Sequence, residues 1–181
     1  DFMWRSPERG GYRPPETLAG RTDAAGEHHV RADFVKVAPI EATSLHAEAS
    51  VIDVNRQAWT AGVDLLVHPA SLYVGMKSER LFVQQGEALD VDAIAVDLDG
   101  KSVIGREILI RAVRQSWEQV DGVFKTVEKD PQECKKASTE GPVRCSFTPK
   151  EGGTYTITAS SADQQGRRNQ SQLTLWVAGG D

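Results

Sequence analysis

Apolar residues along this chain recur mainly at every second position. Val91, Ala93 and Ala95 alternate with Asp92, Ile94 and Val96, and Ile108, Ile110 and Ala112 alternate with Leu109, Arg111 and Val113. A period of two sends successive side chains to opposite faces, so the predicted elements are β-strands that bury one face. Between these runs lies Asp97-Leu98-Asp99-Gly100, whose Asp and Gly tolerate the left-handed backbone of a tight reversal. Residues 91–113 are therefore predicted as a hairpin, two paired strands of a β-sandwich.

The same pattern recurs on either side. Leu45, Ala47, Ala49 and Val51 alternate with His46, Glu48 and Ser50, and Val63, Leu65 and Val67 alternate with Asp64, Leu66 and His68. A turn between Asp53 and Gln57 makes these another hairpin. Earlier, the Asp23-Ala24-Ala25-Gly26 turn leads into a predicted strand carrying Val30, Ala32 and Phe34, broken by Pro39. After Pro69 a fresh series starts with strands near residues 72–76 and 81–83, then from 89 onward, and closes with 143–147, 154–160 and 173–177. Residues 1–20 have prolines, glycines and no apolar period, and read as loop or as a strand remnant of a domain begun upstream, with Trp4 and Tyr12 available for packing. Residues 118–140 are polar and charged, with one predicted strand at 123–127; loops of that length usually carry function or strands of their own.

An internal repeat sets the domain organisation. Ala49-Ser50, Asp53, Val63, Leu65 and Val67 match Ala159-Ser160, Asp163, Leu173, Leu175 and Val177 at a constant offset of 110 residues. Val30-Arg31 and Phe34 match Val143-Arg144 and Phe147 at an offset of 113. A period near 110 is the length of one sandwich domain. The expected fold class is all-β: tandem immunoglobulin-like antiparallel β-sandwiches, with residues 1–70 holding the closing strands of one and residues 71–181 a complete second, joined at 69–71.

Composition narrows the function. With 181 residues, a formal charge of −5 and interspersed signs, the chain has no basic footprint for nucleic acid or a polybasic membrane patch. No apolar run approaches the ~20 residues of a membrane-spanning helix, so direct membrane insertion by this segment is not expected. No signal peptide opens the chain and it starts at Asp1, which reads as a mature or excised piece. Cys134 and Cys145 are its two cysteines, and a turn around 138–142 brings them into bridging range. A bridge would close a loop of about 10 residues, contribute ~2–3 kcal/mol and imply an oxidising compartment; the alternative is two free thiols in a reducing one.

Candidate chemistry is sparse, and no catalytic, cofactor or metal residues are expected. His28 and His29 are adjacent, so on a strand they point to opposite faces; His46 and His68 fall on solvent faces and could be cross-strand neighbours. Residues 97–100 begin like a calcium loop, but the twelfth position is Ile108 and carries no carboxylate. No nucleophile elbow or Ser/His/Asp grouping appears, and Gly152-Gly153 precedes a strand rather than the helix of a phosphate loop. Asn169-Gln170-Ser171 fits a glycosylation acceptor, a pattern that arises often by chance. Trp59, Trp117 and Trp176 read as packing or interface residues in preference to a sugar platform.

One resemblance adds to this. Phe82-Val83, Gly86-Glu87, the run from Val91 to Lys101, Ile108 and Ile110, Pro142 through Phe147, Gly153-Thr154-Tyr155, and Leu173 through Gly180 follow one another as in the macroglobulin domains of bacterial alpha-2-macroglobulins. The resemblance covers most of residues 45–180. It implies non-catalytic structural domains of a broad-spectrum protease inhibitor, in which a protease cuts a bait segment and is trapped. Implied partners are target proteases, met through the full-length protein, and other macroglobulin domains of the same chain; the implied location is the periplasm or cell envelope. The thioester motif of that family does not match the residues around Cys134 or Cys145. Residues 118–140 and 1–20 are its candidate bait positions, both weak. The rival readings are a tandem Ig-like surface adhesion or binding module and a glycan-binding accessory domain using exposed tryptophans.

Overall fold

The computed structural model describes residues 2–4, 15–31, 42–120 and 122–179. Their ten strands are β1 (Thr43–Ile52), β2 (Ala58–Val67), β3 (Leu72–Lys77), β4 (Phe82–Gln84), β5 (Leu89–Asp97), β6 (Glu107–Val120), β7 (Val123–Ala137), β8 (Val143–Phe147), β9 (Gly153–Ala162) and β10 (Arg168–Ala178). Strands β3 to β10 build a sandwich. One sheet has the order β4-β10-β9-β6-β7, the other β3-β5-β8, and β1-β2 is a separate two-stranded sheet. All pairings are antiparallel except the short β4 beside β10.

Alternation accounts for the core. In β9, Tyr155, Ile157 and Ala159 turn inward, while Thr154, Thr156 and Thr158, β-branched and polar, face out. Their inward neighbours are Ile108 and Ile110 of β6 and Leu173, Leu175 and Val177 of β10. Val74, Met76, Val91, Ala93, Ala95 and Phe147 of the smaller sheet complete the same cluster. Two sheets stacked about 10 Å apart bury these faces together.

Residues 91–113 do not form the predicted hairpin. β5 pairs with β3 and β8, whereas β6 pairs with β9 and β7, so the two runs lie in opposite sheets. The turn at Asp97 is real, but beyond it the chain makes only a short return, with the Val103 N–H donating to the Ala95 carbonyl at 2.9 Å. It then crosses to the other sheet, where the Gly105 N–H donates to the Ser138 carbonyl at 2.8 Å and the Ser138 N–H to the Arg106 carbonyl at 2.7 Å. Both sheets bury alternate residues in one core, so periodicity alone does not say which sheet a strand joins.

Four turns share one design. At Asp23, Asp53, Asp97 and Asp163 the aspartate N–H donates to the carbonyl four residues on, and its Oδ1 accepts the N–H groups two and four residues on. The residue three positions after the aspartate has positive φ: Gly26 (82°), Arg56 (63°), Gly100 (81°) and Gly166 (76°). Aspartate replaces a turn's missing backbone acceptor, which is why it opens each one.

Residues 118–140 also differ from expectation. They hold the last residues of β6 and the whole of β7, of which the predicted strand at 123–127 is the first third; the β6-β7 ribbon continues beyond the end of β9 and pairs as far as Val120 with Val123. Both faces of the outer ribbon meet solvent, which removes the apolar alternation that would have revealed it. In β7, Asp130 and Pro131 together stand opposite Val113, a bulge at which Asp130 takes φ 46°.

At the other end, Met3 bridges to Met76 along the free edge of β3, and the Trp4 ring covers Gly75, where an added Cβ would meet it at 2.7 Å. Tyr12 lies outside the described residues. Val30 is exposed and outside any strand, and the rest of that predicted strand also falls outside them.

Candidate functional site

The outer face of the five-stranded sheet carries a shallow groove of about 690 Å³. The register places Gln115 of β6 beside Thr154 of β9 and Gln172 of β10 beside Thr158, with Gln170 further along β10 and Trp117 of β6 just past the end of β9 beside Thr126 of β7. Arg111 also points into it, but its Nη1 donates to Glu128 at 2.8 Å and its Nε lies 3.5 Å from Glu133, so its charge is already matched. Trp117 is 71% exposed. Amides, hydroxyls and one aromatic face suit contact with a neutral polar surface; a nucleophile paired with a base is not among them. Among the described residues no group of three or more His, Cys, Asp or Glu is placed to hold a metal.

A second polar centre sits at the β7 bulge. Asp130 Oδ2 accepts hydrogen bonds from Gln132 Nε2 (3.1 Å) and the Tyr155 hydroxyl (3.1 Å). Gln132 in turn donates to the Thr148 carbonyl at 2.9 Å and accepts its N–H at 3.0 Å, tying β7 to the loop after β8. Burial, reinforced by the Asp130 carboxylate, pushes the Tyr155 phenol up to about 12. This network holds two sheets in register. On the outside of the smaller sheet, Arg144 grips Asp92 through two hydrogen bonds of 2.7 and 2.9 Å, and these hold the Asp92 carboxyl below its ordinary range.

Cys134 and Cys145 are bonded, with Cα atoms 6.1 Å apart. Cys134 lies on β7 of one sheet and Cys145 on β8 of the other, so the bridge joins the two sheets along one side of the sandwich. The histidines separate. His46 Nδ1 pairs with Asp64 at 2.7 Å across the β1-β2 hairpin, and His68 Nδ1 pairs with the Tyr73 hydroxyl at 2.8 Å, so they are not cross-strand neighbours. Asn169 and Ser171 are 2% and 1% exposed, which closes that tripeptide to glycosylation in the folded chain. Trp59, Trp117 and Trp176 are 71%, 71% and 54% exposed and pack in no core. The groove itself escaped sequence reasoning, because its residues come from four strands whose order only the fold sets.

The fold is immunoglobulin-like. No family model matches the chain. Circularly permutated Ras protein 2 of Dictyostelium discoideum is 36% identical over 64 residues, a match that takes in 34% of this chain and 2% of that protein's length. Salmonella alpha-2-macroglobulin reacted with methylamine superposes at TM-score 0.46 with 15% identity, over 76% of this chain and 10% of that one. The native conformation of E. coli alpha-2-macroglobulin gives 0.46 and 14%, over 75% and 10%. Spo0M, a sporulation control protein from Bacillus subtilis, gives 0.45 and 11%, over 61% and 50%. The sheet order on its own establishes the fold class.

Proposed function

We propose that this chain supplies stiff, non-catalytic β-sandwich modules to a larger protease trap of the bacterial alpha-2-macroglobulin kind, in the periplasm or cell envelope. The observation that supports the reading is an anchored joint: the separate β1-β2 hairpin is followed, through buried Pro69 and Ala70 and the Asp163-bound Ser71, by a full sandwich. Stiff modules on fixed joints pass a rearrangement along a chain as rigid bodies. The inter-sheet disulfide favours an oxidising compartment. Target proteases would be met by the whole protein.

The polar groove with Trp117 favours a second reading, an Ig-like adhesion or binding module. Limited proteolysis of the full-length parent with unrelated proteases, followed by small-angle scattering, separates the two. Cuts confined to one short segment and followed by a change of shape support the trap. Cuts scattered over loops with no change of shape remove it and leave the binding module.

A further inference from the structure

The β1-β2 hairpin has one apolar face and one that is polar along its middle, with Ile52 and Leu66 at its ends. Its register pairs Leu45 with Leu65, Ala47 with Val63 and Val51 with Trp59 on one side. The other side carries the His46–Asp64 pair and the Ser50–Thr60 hydrogen bond of 2.8 Å. The apolar side is open: Leu65 is 50% exposed, Val63 51% and Trp59 71%. A lone two-stranded hairpin is at best marginally stable in water, and a continuous exposed apolar face marks a contact surface.

The same chain shows what covers such a face. β9 and β10 repeat β1 and β2 at the constant offset of 110, down to the aspartate turn, so Leu45, Ala47, Val63 and Leu65 correspond to Tyr155, Ile157, Leu173 and Leu175. Those four are 1%, 0%, 3% and 3% exposed, and they share one core with β3, β5 and β8. β6 pairs along the edge of β9, whereas β1 has no neighbour but β2 among the described strands. Residues 15–31 contribute a turn and no strand to cover it. The two hairpins differ at the turn end. Asn169 accepts the Val74 N–H and Ser171 donates to the Val74 carbonyl, where the first hairpin has Trp59 and Ala61. The surface facing β1-β2 must therefore be apolar at that end.

We propose that β1-β2 closes a second immunoglobulin-like sandwich. Its apolar face docks on a sheet of alternating aliphatic side chains, of the kind β3, β5 and β8 present, and a further strand pairs antiparallel along β1. That sheet belongs to the same polypeptide, beyond residues 71–178. A second copy stacked hairpin on hairpin would cover the face but leave both β1 edges open, and β9 shows that edge occupied. The inference rests on the chain being part of a tandem array, and its test is independent of bait cleavage.

Benzoylphenylalanine replaces Leu65 on the apolar face or Glu48 on the polar face of the whole natural polypeptide, which is irradiated in its own cells and read by peptide mass spectrometry. The expected result is an intramolecular crosslink from position 65 to an alternating aliphatic segment outside 71–178, with none from position 48. Crosslinks between two copies, crosslinks into 71–178, or none from position 65 overturn the proposal. Hydrogen exchange on the same polypeptide gives a second reading. Leu65→Lys should speed exchange of the β1-β2 amides at least about tenfold, and Glu48→Lys should not; equal effects, or no effect from either, also overturn it. If the docking holds but no bait segment is found, only the protease-trap reading fails.

Discussion

Asp163 holds Ser71 across 92 residues of sequence: its Oδ2 accepts the Ser71 N–H at 3.0 Å and the Ser71 hydroxyl at 3.2 Å. Oδ1 meanwhile closes the β9-β10 turn through the Gln165 and Arg167 N–H groups. One buried carboxylate thus fixes both the last turn of the sandwich and the point where the chain enters it. Asp163→Asn loses the charge and turns one acceptor oxygen into a donor. It is expected to destabilise the sandwich by about 2–4 kcal/mol in urea unfolding, whereas Asp99→Asn, on an exposed turn, should change stability by less than about 0.5 kcal/mol.

The same carboxylate makes stability acid-sensitive. Burial alone would raise its pKa, but hydrogen bonds from Ser71, Arg167 and Gln165 outweigh this and hold it well below the carboxylate range. A depressed folded-state pKa gives a contribution that is complete above the unfolded value of about 3.9 and is lost as pH falls toward the folded one. The stability gap between wild type and Asp163→Asn should therefore stay constant from neutral pH to about 5 and narrow below about 4, measured by urea titration at each pH.

Tyr155 gives the opposite slope at the alkaline end. Its pKa is pushed up to about 12, so the folded chain keeps a proton that the unfolded chain releases near 10. The contribution is complete below about 10 and is lost as pH rises toward 12. Burial also raises the Tyr73 phenol, so tyrosinate absorbance should show more than one late step, of which Tyr155→Phe should remove the one near 12 together with the associated loss of stability.

The Cys134–Cys145 bridge spans 11 positions and joins strands of different sheets. Replacing both by alanine is expected to cost about 2–3 kcal/mol. Mass spectrometry of native protein without reductant should find no alkylatable thiol, and two alkylatable thiols would remove the oxidising-compartment argument.

Arg56 has φ 63° at the position where the three sister turns have glycine. A side chain there carries left-handed strain, so Arg56→Gly should stabilise the β1-β2 hairpin by about 0.5–1 kcal/mol, read as slower amide exchange in β1 and β2. No change would mean that the hairpin is held by contacts outside its own turn.

Much of this was legible in the chain. Leu45 through Val67 folds as the hairpin its alternation predicts, and Tyr155 through Val177 likewise, because a half-buried strand must alternate. The turns at Asp23 and Asp97 were visible as Asp with Gly three positions on, and the turn at Asp53 was visible between its two alternating runs although Arg56 stands where the others have glycine. Of the ribbon at 116–128 only the strand at 123–127 was legible, since a strand wet on both faces has little alternation to show. His46 was assigned its exposed face but not its partner Asp64, which depends on the hairpin register.

By itself the sequence determined where strands run, which of their faces is buried, where the chain reverses, and that one hairpin is repeated 110 residues later. Tertiary structure decided which strands are neighbours. β5 and β6, consecutive and alike in pattern, went to opposite sheets, and β7 and β8 were joined by a disulfide across them. Alternation records only burial on one side; the neighbour is chosen by connection geometry and by packing among residues far apart in the chain.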